Sequence, residues 1–239
     1  MKISSLKTNR IANPLGFTLG APSLSWIVEE TADKKQTAAQ VWVAADPAFA
    51  RILFDSGKLA GNAIDSLAYR PEITLSPRTR YYWKVKVWGE TEQAESAVAW
   101  FETAKLDEPW QAGWITPDFV NQESHPTLFK SIVLPADAMQ ARAYICGLGL
   151  YHFELNGKKV GNEYLTPYCN AYDQWLQYQT FDITQHLTSG ENLVSVMLGN
   201  GWYKGRYGLQ DDPANLKTYG DQFALICELR VTLVTGEEL

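Results

Sequence analysis

The sequence predicts an all-β protein built from two β-sandwich domains, and three observations carry that reading. Helical periodicity is nearly absent. The segments between turn signals are short and alternate apolar with polar residues at period two. The chain also holds 9 Trp, 12 Tyr and 9 Phe, residues that favour pleated, half-buried surfaces. At 239 residues it accommodates one large domain or two modest ones. Apolar residues at 46% and charged residues at 20% supply a core and argue against disorder.

In the first half, Leu24, Trp26 and Val28 share one face of a strand, and Ala39, Val41 and Val43 share one face of the next. The run LSPRTRYYWKVKVWG then places Tyr81, Trp83, Val85 and Val87 on one side and Tyr82, Lys84, Lys86 and Trp88 on the other. This predicts a half-buried central strand with a patterned outer face. Just before it, Leu75, Pro77, Thr79 and Tyr81 stand at every second position, with Tyr81 placed to return its hydroxyl to upstream backbone. That arrangement resembles the tyrosine corner of fibronectin type III and immunoglobulin-like sandwiches. WFETA at 100–104 is one further strand, and residues 1–106 form the first domain. The following KLDEPWQAGW carries charge, Pro109 and Gly113, as linkers do, while Trp110 and Trp114 are expected to be packed between the domains.

Residues 107–239 are expected to form a larger antiparallel, jelly-roll-like sandwich. Tyr151, Phe153 and Leu155 alternate with His152 and Glu154, then meet Asn156-Gly157, the strongest short hairpin signal. QYQTFDIT reads as a strand leading to a one-turn helix in QHLTSGEN, and Gly190-Glu191-Asn192 turns the chain into LVSVMLG. In the last segment Phe223, Leu225, Cys227, Leu229, Val231 and Leu233 face one way, with Glu228, Arg230 and Thr232 opposite. Thr235-Gly236-Glu237 is a hairpin turn, and a hairpin lacking its return strand leaves an open edge. On that ground the second domain is expected to be truncated and the sequence to be a fragment.

Composition excludes several function classes. Twenty-one basic residues against 27 acidic ones give −6, which disfavours binding to nucleic acid or an anionic membrane. No run of about eighteen apolar residues occurs, as a membrane span requires. The opening MKISSLKTNRIANPLG has no unbroken apolar stretch, so it does not read as a secretory signal. Cys146, Cys169 and Cys227 lie far apart outside any Cys-x-x-Cys context and read as buried reduced thiols of a cytoplasmic protein. His125, His152 and His186 are equally scattered, so no metal site is expected. Gly199, Gly201 and Gly205 lack the lysine and following helix of a phosphate loop, and no cofactor is expected.

Glycoside hydrolysis needs two carboxylates at set separations, and spacing singles out none. Asp211-Asp212 in GLQDDPANLK reads first as a solvated turn, with a catalytic or calcium-binding role as the alternative. No Gly-x-Ser-x-Gly elbow is present, and His186 reads as a surface residue. The informative cluster is LGNGWYKGRYGLQDD. There Asn200-Gly201 forces a turn and Trp202, Tyr203 and Tyr207 emerge beside Lys204 and Arg206. Upstream, TPYCNAYDQWLQYQ is similarly aromatic, with Tyr168, Tyr172, Trp175 and Tyr178. Such rings either dock a neighbouring domain or pack on the apolar face of a sugar while Asn and Arg bond its hydroxyls. The candidates for sugar contact or domain docking are Trp202, Tyr203, Tyr207, Trp175 and Asn200.

The run GLGLYHFELNGKKVGNEYLTPYCNAYDQWLQYQTFDIT, followed by GENLVSVMLGNGWYKG, resembles the N-terminal β-sandwich module of bacterial α-L-rhamnosidases, glycoside hydrolase family 78. With the fibronectin-like domain before it, the resemblance covers nearly the whole chain. It implies a parent enzyme that removes terminal α-L-rhamnose from rhamnosides with inversion, using acidic residues on a downstream helical barrel. That barrel is absent from this sequence, so no catalytic residue carries over. The resemblance therefore implies noncatalytic domains that scaffold the barrel and its active-site rim, with the barrel and, through it, the rhamnoside as partners. An autonomous rhamnose-binding module is the alternative. The passage from Trp114 to Arg142 is too short for the calcium-dependent rhamnose-binding module that some relatives insert near this junction.

Overall fold

Strand alternation sets the first domain. The computed structural model describes residues 1–118, 124–205 and 219–239, which fall into two units, Met1–Pro109 and Trp110–Leu239. In the first unit β1 (Lys2–Thr8) pairs antiparallel with β3 (Leu24–Glu29). A larger sheet runs β2 (Leu15–Phe17), β9 (Ala99–Thr103), β7 (Arg80–Trp88), β4 (Ala38–Ala44), β5 (Ile52–Asp55), with β6 (Leu59–Ala60) on β4 and β8 (Gln93–Glu95) on β7. Tyr81, Trp83, Val85 and Val87 of β7 are buried against Leu24, Trp26, Val41 and Val43, so the period-two reading assigns the core face correctly. The Tyr81 hydroxyl accepts the Ser76 N–H at 2.7 Å, completing the tyrosine corner, while its ring stacks 5.1 Å from Phe101.

The outer face of the same sheet accounts for part of the aromatic surplus. The Arg80 guanidinium lies 4.0 Å from the centre of the Trp100 ring, Lys86 lies 5.1 Å from that of Trp88, and Lys84 sits 4.8 Å from that of Phe49. Each cation keeps its charge at the surface while its stem covers apolar area.

The second unit packs two antiparallel sheets face to face. One runs β10 (Thr127–Leu134), β15 (Gly190–Gly199), β12 (Leu150–Leu155), β13 (Lys158–Lys159). The other runs β14 (Gln179–Asp182), β11 (Ala138–Leu148), β16 (Ala224–Leu233). Asn156 and Gly157 sit at φ 53° and 72° and join Leu155 to Lys158, the left-handed pair that a two-residue hairpin needs. A 3₁₀ turn at Thr184–His186 is held by Asp182 Oδ1, which accepts the Thr184 N–H at 3.0 Å. The Gly190 turn opens β15, and Asn192 is already inside that strand.

The structure adds one finding here and corrects two expectations. Glu228 on the second face of β16 is buried, as are Arg142, Tyr144 and Cys146 on β11, while Arg230 and Thr232 are half-buried. The chain from Trp110 folds over that face. Gln111 N–H donates to Glu228 Oε2 at 3.0 Å, Arg230 Nε donates to Oε1 at 2.8 Å, and Trp110 meets the Tyr178 ring edge-on at 5.4 Å. A strand whose second face is partly covered cannot be told from a half-exposed one when that face carries paired charges. Trp114 is exposed rather than packed. Cys169 is also exposed, on a loop rather than in a core, whereas Cys146 is buried and Cys227 half-buried.

Candidate functional site

Two loops at one end of the second unit bring the aromatic residues together. The first follows β13. Thr166 is anchored by Tyr151, whose N–H donates to the Thr166 carbonyl at 2.9 Å, and the Thr166–Pro167 bond is cis. Buried Asn170 pins the turn that follows. Its Nδ2 reaches the carbonyls of Pro167 and Tyr168 at 3.3 Å, and its Oδ1 accepts the Gln177 N–H at 3.1 Å. An amide with donors and an acceptor all used inside one loop fixes that loop's shape.

The second loop leaves β15 at Gly199. Gly201 N–H donates to the Lys204 carbonyl at 2.7 Å, closing the turn that Asn200-Gly201 announces. A Cβ on Gly220 would stand 2.3 Å from Tyr203 Cζ, so that ring closes over glycine backbone. The Tyr172 ring joins the two loops, 5.3 Å from Tyr203 and 5.1 Å from Tyr219, and desolvation raises its phenol pKa. Lys204 is buried. Its Nζ donates to Asn200 Oδ1 at 3.0 Å and lies 4.1 Å from the centre of the Phe223 ring.

Of the residues singled out in the sequence, Asn200 and Tyr203 belong to this cluster and Trp202 is half-buried in the same turn. Trp175 is 52% exposed on the first loop, with Tyr168 also exposed. Tyr207, Arg206, Asp211 and Asp212 lie outside the described residues. Lys204, which the sequence places beside the rings, is buried, and a cation over an aromatic face that also bonds to an oxygen tolerates burial. Tyr219, Asn170 and Phe223 were not singled out as site residues. Phe223 reads in the sequence only as the first core residue of its strand, and nothing local marks Asn170. His186 is half-buried with Nδ1 enclosed and no partner for it among the described residues, so its ring is not a plain surface group.

Among the described residues no group of three or more His, Cys, Asp or Glu side chains is arranged to hold a metal ion. No helix among them is long and apolar enough to cross a membrane. The cluster offers ring faces and hydrogen-bonding groups.

Comparison with known proteins gives both domains a family. Residues 3–107 match the profile "Rha78A-like, N-terminal immunoglobulin domain", and residues 136–239 match "Alpha-L-rhamnosidase N-terminal domain". An α-L-rhamnosidase of Formosa agariphila is 33% identical over 237 residues, which cover 86% of this chain and 25% of that protein. One from Alteromonas sp. (strain LOR) is 27% identical over 224 residues, covering 86% and 24%. The solved α-L-rhamnosidase of Dictyoglumus thermophilum superposes on all of this chain and 28% of its own, with a TM-score of 0.83 and 27% identity. The chain thus spans about a quarter of the length of these curated relatives. Residues 3–107 belong to the immunoglobulin-like domains, and residues 136–239 to the N-terminal β-sandwich domains, of the α-L-rhamnosidase family.

Proposed function

We propose that these are the noncatalytic N-terminal domains of an α-L-rhamnosidase whose full chain hydrolyses terminal α-L-rhamnose with inversion. They scaffold its catalytic helical barrel and shape the rim of its active site. The observation that carries this reading is the Lys204 turn. Its ammonium bonds to Asn200 inside the loop and its Tyr203 ring packs on Tyr172 and Gly220. A loop braced in this way offers a preformed surface to a neighbour. A second surface supports the same role. On the outer face of the β10–β15 pair, Phe129 lies diagonal to both Leu193 and Met197, and Phe129 is 77% exposed. A contiguous apolar stripe of this kind marks an interaction surface.

Incubating the chain with an aryl α-L-rhamnoside tests the noncatalytic assignment. The expected result is no release of the aryl group above the buffer rate. Release abolished by Asp211→Asn or Asp212→Asn would overturn it. The second reading, autonomous rhamnose binding, is favoured by the exposed rings of Trp175 and Tyr168, on the loop that Tyr172 joins to the braced turn.

A further inference from the structure

On the outer side of the β1–β3 pair, in the first unit, lies a cavity of about 340 Å³ bordered by Asn9, Arg10, Ser23, Ser25 and Arg70. Its floor follows from strand alternation. Leu24 and Trp26 are buried in the core, so Ser23 and Ser25 point to the opposite side. One wall is the turn that ends β1. Thr8 N–H donates to the Ile11 carbonyl at 2.9 Å and Ile11 N–H donates to the Thr8 carbonyl at 3.0 Å, which leaves Asn9 and Arg10 as a two-residue turn. Asn9 clamps this turn to β3. Its N–H donates to the Ser23 carbonyl and its Oδ1 accepts the Ser23 N–H, both at 2.7 Å. The other wall is residues 66–70. Leu24 and Tyr69 exchange bonds of 2.7 and 2.9 Å, and Trp26 N–H donates to the Ser66 carbonyl at 2.9 Å.

Arg10 is held against the preference of its backbone. Asn9 and Arg10 have φ of 48° and 69°, and the second place of such a turn suits glycine far better than arginine. Strain of this kind collects at functional sites. Arg70 borders the cavity from the other wall, and neither guanidinium has an ion pair or hydrogen bond among the described residues. No carboxylate stands among the described residues that line the cavity. Two uncompensated cations on one concavity, in a chain of net charge −6, make a local positive field. The Asn9 side-chain NH₂ and the Ser23 and Ser25 hydroxyls likewise meet no partner among the described residues. These groups are free to bond a ligand.

We infer that this cavity binds a monosaccharide unit that carries an oxyanion, a sugar acid or a sugar phosphate. The Arg10 and Arg70 guanidinium groups take the oxyanion, to which their planar forks are matched. The serine hydroxyls and the Asn9 amide take the ring hydroxyls. The volume lies near the lower end of small-molecule sites, roughly 300–1,000 Å³, and suits one sugar ring rather than a chain of them. A neutral sugar leaves both arginines without a partner, and a bare inorganic ion leaves the hydroxyl-lined floor unused. The site belongs to the first unit alone and stands or falls apart from the role given to the aromatic turn.

The test titrates the whole 239-residue chain at low salt with D-glucuronate, D-glucose 6-phosphate, D-glucose and sodium sulfate, following the arginine Nε–Hε resonances by NMR. The expected result is a saturable shift of the Arg10 and Arg70 signals with at least one charged sugar, roughly tenfold or more tighter than with glucose or sulfate. Which charged sugar binds tells carboxylate from phosphate. Arg10→Gly and Arg70→Gln are each expected to weaken that binding roughly tenfold or more. Arg10→Gly should at the same time raise the melting temperature of the first unit, because glycine adopts a φ of 69° without strain. Loss of binding in a more stable chain separates ligand contact from folding. No saturable shift with either charged sugar, equal affinity for sulfate or glucose, or undiminished binding in either variant would overturn the proposal.

Discussion

The Lys204 ammonium sits 4.1 Å from the centre of the Phe223 ring, inside the sandwich end rather than in solvent. This one contact ties the turn after β15 to the first residue before β16, two segments that flank the aromatic cluster. Lys204→Met keeps the aliphatic stem and removes the charge. We expect the whole chain to lose roughly 1–2 kcal/mol in the unfolding transition of the second unit, the range of a desolvated cation–aromatic contact together with the bond to Asn200. Urea unfolding followed by tryptophan fluorescence measures it, and an unchanged midpoint would mean that the contact does not hold the turn.

Asn192 should be more costly to lose. It is buried at 1% exposure, and its Oδ1 accepts from Asn156 Nδ2 and from the Thr188 N–H, both at 2.9 Å. Its Nδ2 donates to the carbonyls of Thr188 at 2.7 Å and Gly190 at 3.0 Å. Asn192→Ala removes all of these bonds at a buried position and is expected to cost about 2–4 kcal/mol. Asn192→Asp should destabilise as well, because a carboxylate cannot donate to those carbonyls. Thermal unfolding of the two variants against the parent is the check.

Acid should weaken the first domain through Asp33. Its carboxylate accepts the N–H groups of Thr91 and Glu92 at 3.0 Å and the Thr91 hydroxyl at 2.8 Å, and the bond from the Thr91 backbone is the main reason its pKa is lowered. The folded value lies below the unfolded one of about 3.9, so this stabilisation is present above about pH 4 and is lost as pH falls through the folded value. Melting temperatures between pH 2 and 6 should fall less steeply for Asp33→Asn than for the parent. Parallel curves would remove Asp33 from the account.

Thiol chemistry should separate the three cysteines. Burial pushes the Cys146 and Cys227 thiols up to about 12, leaving almost no thiolate at pH 8, whereas Cys169 is exposed. Native chain treated with a disulfide reagent at pH 8 is expected to react at one thiol, and at three in denaturant. Cys169→Ser should abolish the native reaction, and a second fast native thiol would contradict the burial.

How much of this was legible in the sequence follows from the range of each interaction. The β7 alternation and the Tyr81–Ser76 bond are local, spanning few residues, so periodicity and a turn signature revealed both. The Asn156-Gly157 hairpin was legible for the same reason. Burial of Glu228 was not, because it depends on Gln111, 117 residues away, lying over the sheet. At the candidate site the aromatic richness and the Asn200-Gly201 turn were visible. The joining role of Tyr172 and the inward course of Lys204 depend on contacts between segments distant in sequence, to which spacing is blind.

The central claim is that the braced aromatic turn serves a neighbouring domain rather than free sugar. Titrating L-rhamnose into the 239-residue chain to tens of millimolar, with tryptophan fluorescence as the readout and Trp175→Ala as the control, tests it most directly. The account predicts no saturable change. A saturable change in the parent that disappears in Trp175→Ala would contradict it and establish these domains as a rhamnose-binding module.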